Sequence, residues 1–181
     1  PEIAAGETLT QSELKLYLDS LSDTVLSGMN VIFCSTSFDF EHIDPYSSKS
    51  YIRDVMVVSR FTISGGEYRT SSYIADIWNS SGMIKTGRYF MDADETEGLH
   101  FAMVQDTWIN DPLQSLDYAE LLDGTDTITL FGEKFSIIGT HSSNGVAVPF
   151  LSLPGEAGMD SFTLSFENAI SRKSYDELKR R

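Results

Sequence analysis

Residues 55–66 read Val55-Met56-Val57-Val58-Ser59-Arg60-Phe61-Thr62-Ile63-Ser64-Gly65-Gly66, and this stretch decides the predicted fold. A short apolar run passes into alternating apolar and polar side chains, which is typical of a β-strand with one buried face. The two glycines supply the positive backbone angles of a tight turn, so we expect a hairpin. The return strand is predicted over about 67–78, at the start of a sheet-rich region spanning about 54–167.

Further strands are predicted where short apolar or alternating segments lie between turn residues. These segments are 83–91, 100–104, 127–131, 135–138, 146–151 and 162–166. A short helix is predicted from Asp111 to about Leu122, and the polar C-terminal segment, 168–181, is expected to be partly helical. Because hairpins join most consecutive strands, the pattern favours an antiparallel sheet of about six to eight strands.

A long N-terminal helix is predicted over about 10–28. Thr10 and Glu13 have the spacing of a capping box, in which each side chain bonds the other residue's backbone amide. Apolar residues then recur at intervals of four, three and four, which places them on one helical face. These residues are Leu14, Leu18, Leu21 and Val25. The sequence therefore predicts a single α+β domain, 1–181, with this helix packed on one face of the sheet.

The composition is that of an ordinary folded domain, with 41% hydrophobic and 22% charged residues in a chain of 181. Thirteen basic residues against 27 acidic ones give a net charge of −14. This charge repels phosphate backbones and anionic headgroups, so nucleic acid is not an expected partner. Membrane contact is expected only through flanking segments outside this chain. We expect no cofactor and no enzymatic activity, because the sequence carries no glycine-rich phosphate loop and no nucleophile elbow.

Cys34 is the one cysteine of the sequence, so an internal disulfide is excluded. Free cysteine is among the most buried residue types, which favours a small apolar core residue. The alternative is a catalytic thiolate, which needs a histidine or another cation beside it. The sequence spacing of His42, His100 and His141 does not decide between the two.

Two acidic segments are candidates for calcium binding or acid–base catalysis. Asp92–Gly98 lacks the glycine and the glutamate that an EF-hand needs at its sixth and twelfth positions, so a solvated acidic loop is favoured. Asp39, Glu41 and Asp44 are candidates for paired carboxylates in acid–base catalysis, and the alternative is a half-buried turn with exposed acids.

Aromatic and cationic residues on the predicted sheet are the candidate ligand-binding residues. They are Tyr68, Arg69, Tyr73, Trp78, Arg88, Tyr89 and Trp108. Aromatic walls can bury a small molecule while one or two guanidinium groups orient its acidic part. Core packing is the alternative role for these side chains.

The order of several motifs resembles a known sensor family. A helix leads to Cys34-Ser35, and Ser50-Tyr51-Ile52-Arg53-Asp54-Val55 opens a strand that is followed by a tight turn and Arg69-Thr70-Ser71-Ser72. This layout resembles the CSS-motif periplasmic sensor domain, a Cache/PAS-like portion of EAL-type cyclic-di-GMP phosphodiesterases. In that family a cysteine opening the Cys-Ser-Ser triplet forms a redox-sensitive disulfide with the first cysteine. Thr70 stands in its place here, so the resemblance leaves Cys34 unpaired.

The leading functional hypothesis is a non-catalytic, periplasmic sensing or small-ligand-binding domain of a signalling protein. The resemblance implies the extracytoplasmic location, and a homodimer through the N-terminal helix is a further expectation. The alternative is an acidic structural or assembly protein that acts through protein–protein contacts, in which case the location is cytoplasmic. A hydrolase using scattered carboxylates was a third hypothesis, which requires two acids about 10 Å apart or less in a cleft.

Overall fold

The computed structural model of the chain describes residues 8–179. Its helices are α1 (Gln11–Asp19), α2 (Asp23–Leu26), α3 (Ser72–Ser80), α4 (Asp92–Thr96), α5 (Thr107–Asn110), α6 (Gln114–Asp117) and α7 (Arg172–Leu178). Its strands are β1 (Leu9–Thr10), β2 (Met29–Ile43), β3 (Ser50–Ser64), β4 (Glu67–Thr70), β5 (Ile84–Gly87), β6 (Phe101–Gln105), β7 (Leu122–Asp123), β8 (Thr127–Leu130), β9 (Glu133–His141), β10 (Val146–Ala147), β11 (Gly158–Met159) and β12 (Ser161–Phe166). One turn of 3-10 helix, Phe150–Ser152, follows β10.

Ten of the described strands form one mixed sheet. Its main path runs in the order β12-β2-β3-β10-β6-β9-β8-β7, while β4 pairs with β3 and β5 pairs with β9. The pairs β10–β3 and β6–β9 are parallel. The mixed α+β class is confirmed, but the prediction of a purely antiparallel sheet with six to eight strands is wrong.

The two parallel pairs arise from strands that are not neighbours in sequence. β10 inserts between β3 and β6, and β9 reaches β6 after an excursion through α5, α6, β7 and β8. Hairpin signals report only local antiparallel pairing, so they could not reveal these contacts. Other hairpin predictions hold: Gly65 and Gly66 have φ values of +60° and +78° and connect β3 to β4.

The sheet is buried on both faces. Val57 belongs to the larger core with α1 and α2, whereas the next residue, Val58, belongs to a smaller core with Trp78 of α3. Ala102 and Met103 divide between the two cores in the same way. Helices therefore cover both faces, not only one, and central strands covered on both sides are expected to have nearly continuous apolar sequences.

The predicted N-terminal helix over 10–28 is two short helices. Its capping box is present, since Thr10 Oγ1 accepts the Glu13 amide at 3.2 Å and Glu13 accepts the Thr10 amide at 2.8 Å. However, α1 ends at Asp19, and the chain turns before α2. The amide and hydroxyl of Ser22 donate to the Glu177 carboxylate at 2.6 and 2.9 Å, so a distant helix stabilises this break.

The sheet begins at β2, well before the predicted boundary near residue 54. β2 and β3 are paired from Ile32 opposite Phe61 to Ile43 opposite Ser50. The segment Phe38–Ile43 alternates between buried and exposed side chains as a strand does. The interpretation of its acids as part of a turn was therefore wrong for Asp39 and Glu41, and Asp44 alone lies in the turn.

The predicted return strand over 67–78 is half strand and half helix. β4 ends at Thr70, and Ser71 caps α3 by accepting the Ile74 amide at 3.4 Å. The predicted strand in 83–91 is shorter and corresponds to β5. Where a helix was predicted over 111–122, the chain forms only the short helix α6 before β7 begins at Leu122, and α5 precedes this range. In the C-terminal segment α7 is present, while residues 180 and 181 lie outside the described residues.

Candidate functional site

The seven predicted ligand-binding residues lie in four places. Trp78, Arg88 and Tyr89 lie in or beside the smaller core, whereas Tyr68 and Trp108 are buried in the larger core. The other two residues are exposed or half-exposed on the surface. These two are Arg69 on β4 and Tyr73 on α3. The structure therefore does not bring the seven together around one cavity.

Both arginines of this set have carboxylate partners. Arg88 donates to Asp94 at 2.6 Å and to the Tyr89 carbonyl at 3.0 Å. Arg69 forms ion pairs with Glu67 and with Asp92, the latter at 3.5 Å. Neither guanidinium group is poised to receive the acidic part of a ligand, because each already neutralises an acid of this chain.

The smaller core holds a third guanidinium group, that of Arg60. It lies 5.3 Å from the ring centroids of both Phe33 and Trp78, which is within the range of a cation–π contact. The His141 ring packs on Trp78 at 5.0 Å. Burial lowers the pKa of His141 to about 4, with the Arg60 charge adding to the effect, so this histidine is neutral at pH 7. The cluster is a packed structural element.

Glu95 is the most unusual ionisable group of the described chain. It is fully buried, and the acidic segment 92–98, predicted as a solvated loop, is mostly helix α4. One Glu95 oxygen accepts the Phe150 amide at 3.1 Å, while Oε1 has no partner among the described residues. Burial raises the pKa of Glu95 to about 8, so the side chain is mostly uncharged at neutral pH. No local sequence pattern indicates this burial, because Phe150 is distant in the chain.

Cys34 is a buried free thiol. Burial, helped by the nearby Glu95 carboxyl, raises the pKa of Cys34 to about 12, so a reactive thiolate does not form at neutral pH. Thr70, at the position of the family's second cysteine, pairs with Phe61 on the β3 edge opposite β2. Two strand spacings of about 4.8 Å separate the backbones of residues 34 and 70, which is beyond the reach of a disulfide.

A surface groove lies between α3 and the end of β12. We call it the Tyr73 groove, and its lining residues are Asn30, Ser72, Tyr73, Asp76, Phe166 and Glu167. Its volume is about 520 Å³, and a smaller hollow of about 210 Å³ continues it toward Ser27 and Gly28. Of the seven predicted residues, Tyr73 alone lines this groove.

The groove is acidic and aromatic. Asp76 and Glu167 contribute two exposed carboxylates, and Tyr73 and Phe166 contribute rings. The Asn30 side-chain oxygen is buried and has no hydrogen-bond partner among the described residues. Because this oxygen is shielded from solvent, the exposed carboxylates and rings determine the ligand chemistry instead. The lining chemistry suits a small organic cation.

A second surface lies at the far end of β2 and β3. We call residues 36–43 and 50–56 the distal ribbon. Large apolar side chains are exposed on it, on the turn that closes it and on the adjoining α6 region. They are Ile43, Tyr46, Tyr51, Ile52, Met56, Leu113 and Leu116. Tyr46 is 84% exposed and Ile52 is 72% exposed. Such a concentration of exposed apolar residues at one end of a domain is typical of an interaction site.

A histidine lies buried beneath this end of the ribbon. His42 Nδ1 is 3.2 Å from Glu120, and its Nε2 is 3.9 Å from Asp117. Asp117 also forms an ion pair with Arg53 at 3.1 Å. A small cavity of about 130 Å³ opens beside these groups, lined in part by Tyr46 and Tyr51. The Arg53–Asp117 ion pair ties α6 to the ribbon.

Two kinds of feature are absent from the described residues, namely a membrane-spanning helix and a cluster of metal ligands. None of the helices within residues 8–179 is long and apolar enough to cross a membrane. Over the same residues, no group of three or more histidine, cysteine, aspartate or glutamate side chains is arranged to hold a metal ion.

Comparison with known proteins gives limited information. No family model matches the chain, and no curated protein matches it significantly. Among solved structures, the chain is similar to the extracellular domain of the noncanonic ABC-type transporter YknZ from Gram-positive bacteria. The match has a TM-score of 0.46 and 13% sequence identity, and it covers 87% of this chain and 77% of that chain. A similarity of this size assigns no shared function.

Proposed function

We propose that the chain is a non-catalytic, extracytoplasmic sensing domain that binds a small organic cation in the Tyr73 groove. The observation that carries the proposal is the combination in one groove of two exposed carboxylates and two aromatic rings. A volume of about 520 Å³ is within the usual range for small-molecule sites. The location outside the cytoplasm is inferred from the sequence resemblance. A fusion of the protein to alkaline phosphatase tests it, because this enzyme is active only outside the cytoplasm.

The choice of a cation over an anion rests on charge. The groove lining contains no lysine or arginine, and Asp76 and Glu167 both contribute negative charge. Arg69 and Arg88, which were expected to orient an acidic ligand, are paired with acids of the chain. Rings such as Tyr73 attract ammonium groups through their π electrons, and this attraction adds to the attraction of the carboxylates.

Sensing requires that the ligand favour one arrangement of the domain over another. The groove joins α3, on one side of the sheet, to residues at the end of β12. The adjoining hollow reaches Ser27 and Gly28, directly after α2. A bound cation would bridge Asp76 and Glu167, draw α3 toward β12, and thereby act on the N-terminal helices.

Small amines are expected to stabilise the domain, and small acids are not. A ligand present at about 100 times its Kd adds about 2.7 kcal/mol, which corresponds to a rise in Tm of several degrees for a domain of this size. The measurement is a thermal shift series with tetramethylammonium, putrescine and acetate. Asp76→Asn is expected to abolish the amine shift, whereas the matched variant Glu133→Gln, at an exposed carboxylate on β9, keeps it. Equal loss in both variants, or no shift with any amine, contradicts the proposal.

The second candidate function is an assembly protein that acts through protein–protein contacts. The exposed apolar end of the distal ribbon favours it. A homodimer through the N-terminal helix stays a prediction. Leu16 is the large apolar residue of α1 that is well exposed.

A photocrosslinking amino acid at position 46 tests this second function in the cell. We expect one discrete adduct at that position, because Tyr46 is the most exposed of the apolar side chains at the ribbon end. Position 97, an exposed glutamate at the C-cap of α4, serves as the control and is expected to give none. A similar adduct pattern at both positions contradicts docking through the ribbon end.

A further inference from the structure

We propose that the free edge of β2 in the distal ribbon receives an extended segment of a partner protein, in which basic and apolar residues alternate. This inference rests on the second candidate function and does not depend on the Tyr73 groove. The mode of binding is strand addition, in which backbone hydrogen bonds supply affinity and alternate side chains supply specificity.

The edge is open because β12 is shorter than β2. Pairing between the two strands ends at Ser35 opposite Ser161, although β2 continues to Ile43. On its other side β2 is paired with β3 along this whole length. No strand of residues 8–179 pairs with the outer edge of β2 beyond Ser35.

The backbone groups of this edge point outward at every second residue. The Ser35 carbonyl accepts the Asp160 amide, and the Ile43 amide donates to the Glu120 carboxylate at 2.9 Å, so both residues face away from β3. In an antiparallel pair this orientation alternates, so Ser37, Asp39 and Glu41 also face outward. Ser37 Oγ donates to Asp160 at 2.6 Å, so the edge is partly covered at that end. The amides and carbonyls of Asp39 and Glu41 are available to an added strand, and exposed strand edges readily pair with another chain.

The solvent face of the ribbon carries acids that form no ion pair within residues 8–179, although the Glu41 carboxylate accepts the Ser50 hydroxyl. Asp39 lies directly opposite Asp54, and Glu41 is two residues further along β2. The nearby Arg53 is engaged with Asp117 on the other face. Like charges directly opposite one another destabilise a sheet, and basic side chains from an added strand would relieve this repulsion. In a strand added to β2, alternate side chains lie on the solvent face beside Asp39 and Glu41, and the others lie on the opposite face beside Phe38 and Phe40. The partner therefore alternates basic with apolar residues.

A second copy of this chain is a poorer occupant. Two copies joined at the same β2 edge would place Asp39 and Glu41 of one copy against the same acids of the other. The chain also carries a net charge of −14, which opposes self-association. Charge complementarity therefore selects a basic partner over a homodimer.

Synthetic peptides test the inference directly. The probe is a fluorescent peptide of about seven residues that alternates lysine and valine, measured by anisotropy at about 0.15 M salt to screen weak surface attraction. The first control is the same peptide with N-methyl groups on alternate amides, which keeps its charge but removes the donors needed for strand pairing. We expect the N-methylated peptide to bind about tenfold more weakly or worse, because several backbone hydrogen bonds are lost. Equal binding of the two peptides overturns the inference.

Two pairs of variants locate the binding on the protein. Asp39→Asn with Glu41→Gln is expected to weaken binding about tenfold, whereas Asp176→Asn with Glu97→Gln removes the same charge at exposed positions elsewhere and leaves it nearly unchanged. Asp39→Pro is expected to weaken binding further than Asp39→Asn, because proline also removes the outward amide. Circular dichroism checks that each variant folds.

Equal effects of the two double variants, or a dimer of the wild type that Asp39→Pro dissociates, overturn the inference. An adduct at position 46 without peptide binding overturns it too, while the second candidate function survives.

Discussion

Glu95→Gln is expected to remove a loss of stability that the wild-type domain suffers as the pH rises from about 6.5 to 8. The wild-type loss across this window is expected to be about 1 kcal/mol, because the slope of about 1.4 kcal/mol for each pH unit declines as the pH nears the folded-state pKa. The cause is the burial of Glu95, which raises its pKa from 4.5 to about 8. Above pH 4.5 the unfolded chain releases this proton while the folded chain retains it, so rising pH favours unfolding until the folded-state pKa is passed.

His141 limits the window in which the effect can be seen. Its pKa falls from 6.5 to about 4 on folding, so between these values the unfolded chain binds a proton that the folded chain does not. This difference raises stability with pH and opposes the contribution of Glu95 below about pH 6.5. Above that pH the histidine is neutral in both states, and the decline due to Glu95 is no longer offset.

Urea unfolding at pH 6.5, 7.2 and 8.0 measures this effect. The control is Glu97→Gln, which makes the same chemical change at an exposed position two residues away. We expect Glu97→Gln to keep the wild-type slope and Glu95→Gln to flatten it. A wild-type stability that is constant or rising across this range contradicts the burial of an uncharged Glu95.

The fold was predictable where the signal is local. The capping box of Thr10 and Glu13, the Gly65-Gly66 turn and the apolar strand β6 each depend on residues close in sequence, and each is present. The break after α1 was not predictable, because its stabilising partner is Glu177. The parallel insertion of β10 also depends on strands far apart in sequence.

The candidate site was less predictable than the fold. Aromatic residues near Tyr68 and Trp108 were recognised as a group, but their sequence does not reveal which face of the sheet each would occupy. The alternation of apolar and polar residues in Phe38–Ile43 is typical of a strand, and it predicts that the acids of the distal ribbon lie on a solvent-exposed face. Asn30 and Glu95 gave no local signal, because their environments are built by α3 and by the segment after β10.

Phe150→Ala is expected to destabilise the domain by about 3 to 5 kcal/mol and to lower Tm by about 10 °C or more. The ring is fully buried, stacks on Phe61 at 4.5 Å and lies 5.6 Å from the Tyr68 ring. These contacts join the turn after β10 to β3 and β4, so the alanine variant leaves a cavity between three elements. The Phe150 amide still reaches Glu95, because the substitution does not alter the backbone donor.

Tyr46→Ala is the matched control, since it removes an aromatic ring that is 84% exposed. We expect it to change stability by less than about 0.5 kcal/mol, because little apolar area is returned to water. Thermal unfolding of both variants at pH 6.5 separates the packing effect from the ionisation of Glu95. Comparable losses in the two variants contradict a core centred on the Phe61, Tyr68 and Phe150 rings. A large loss in Phe150→Ala alone shows that the segment carrying the Glu95 contact is held in place by this stack.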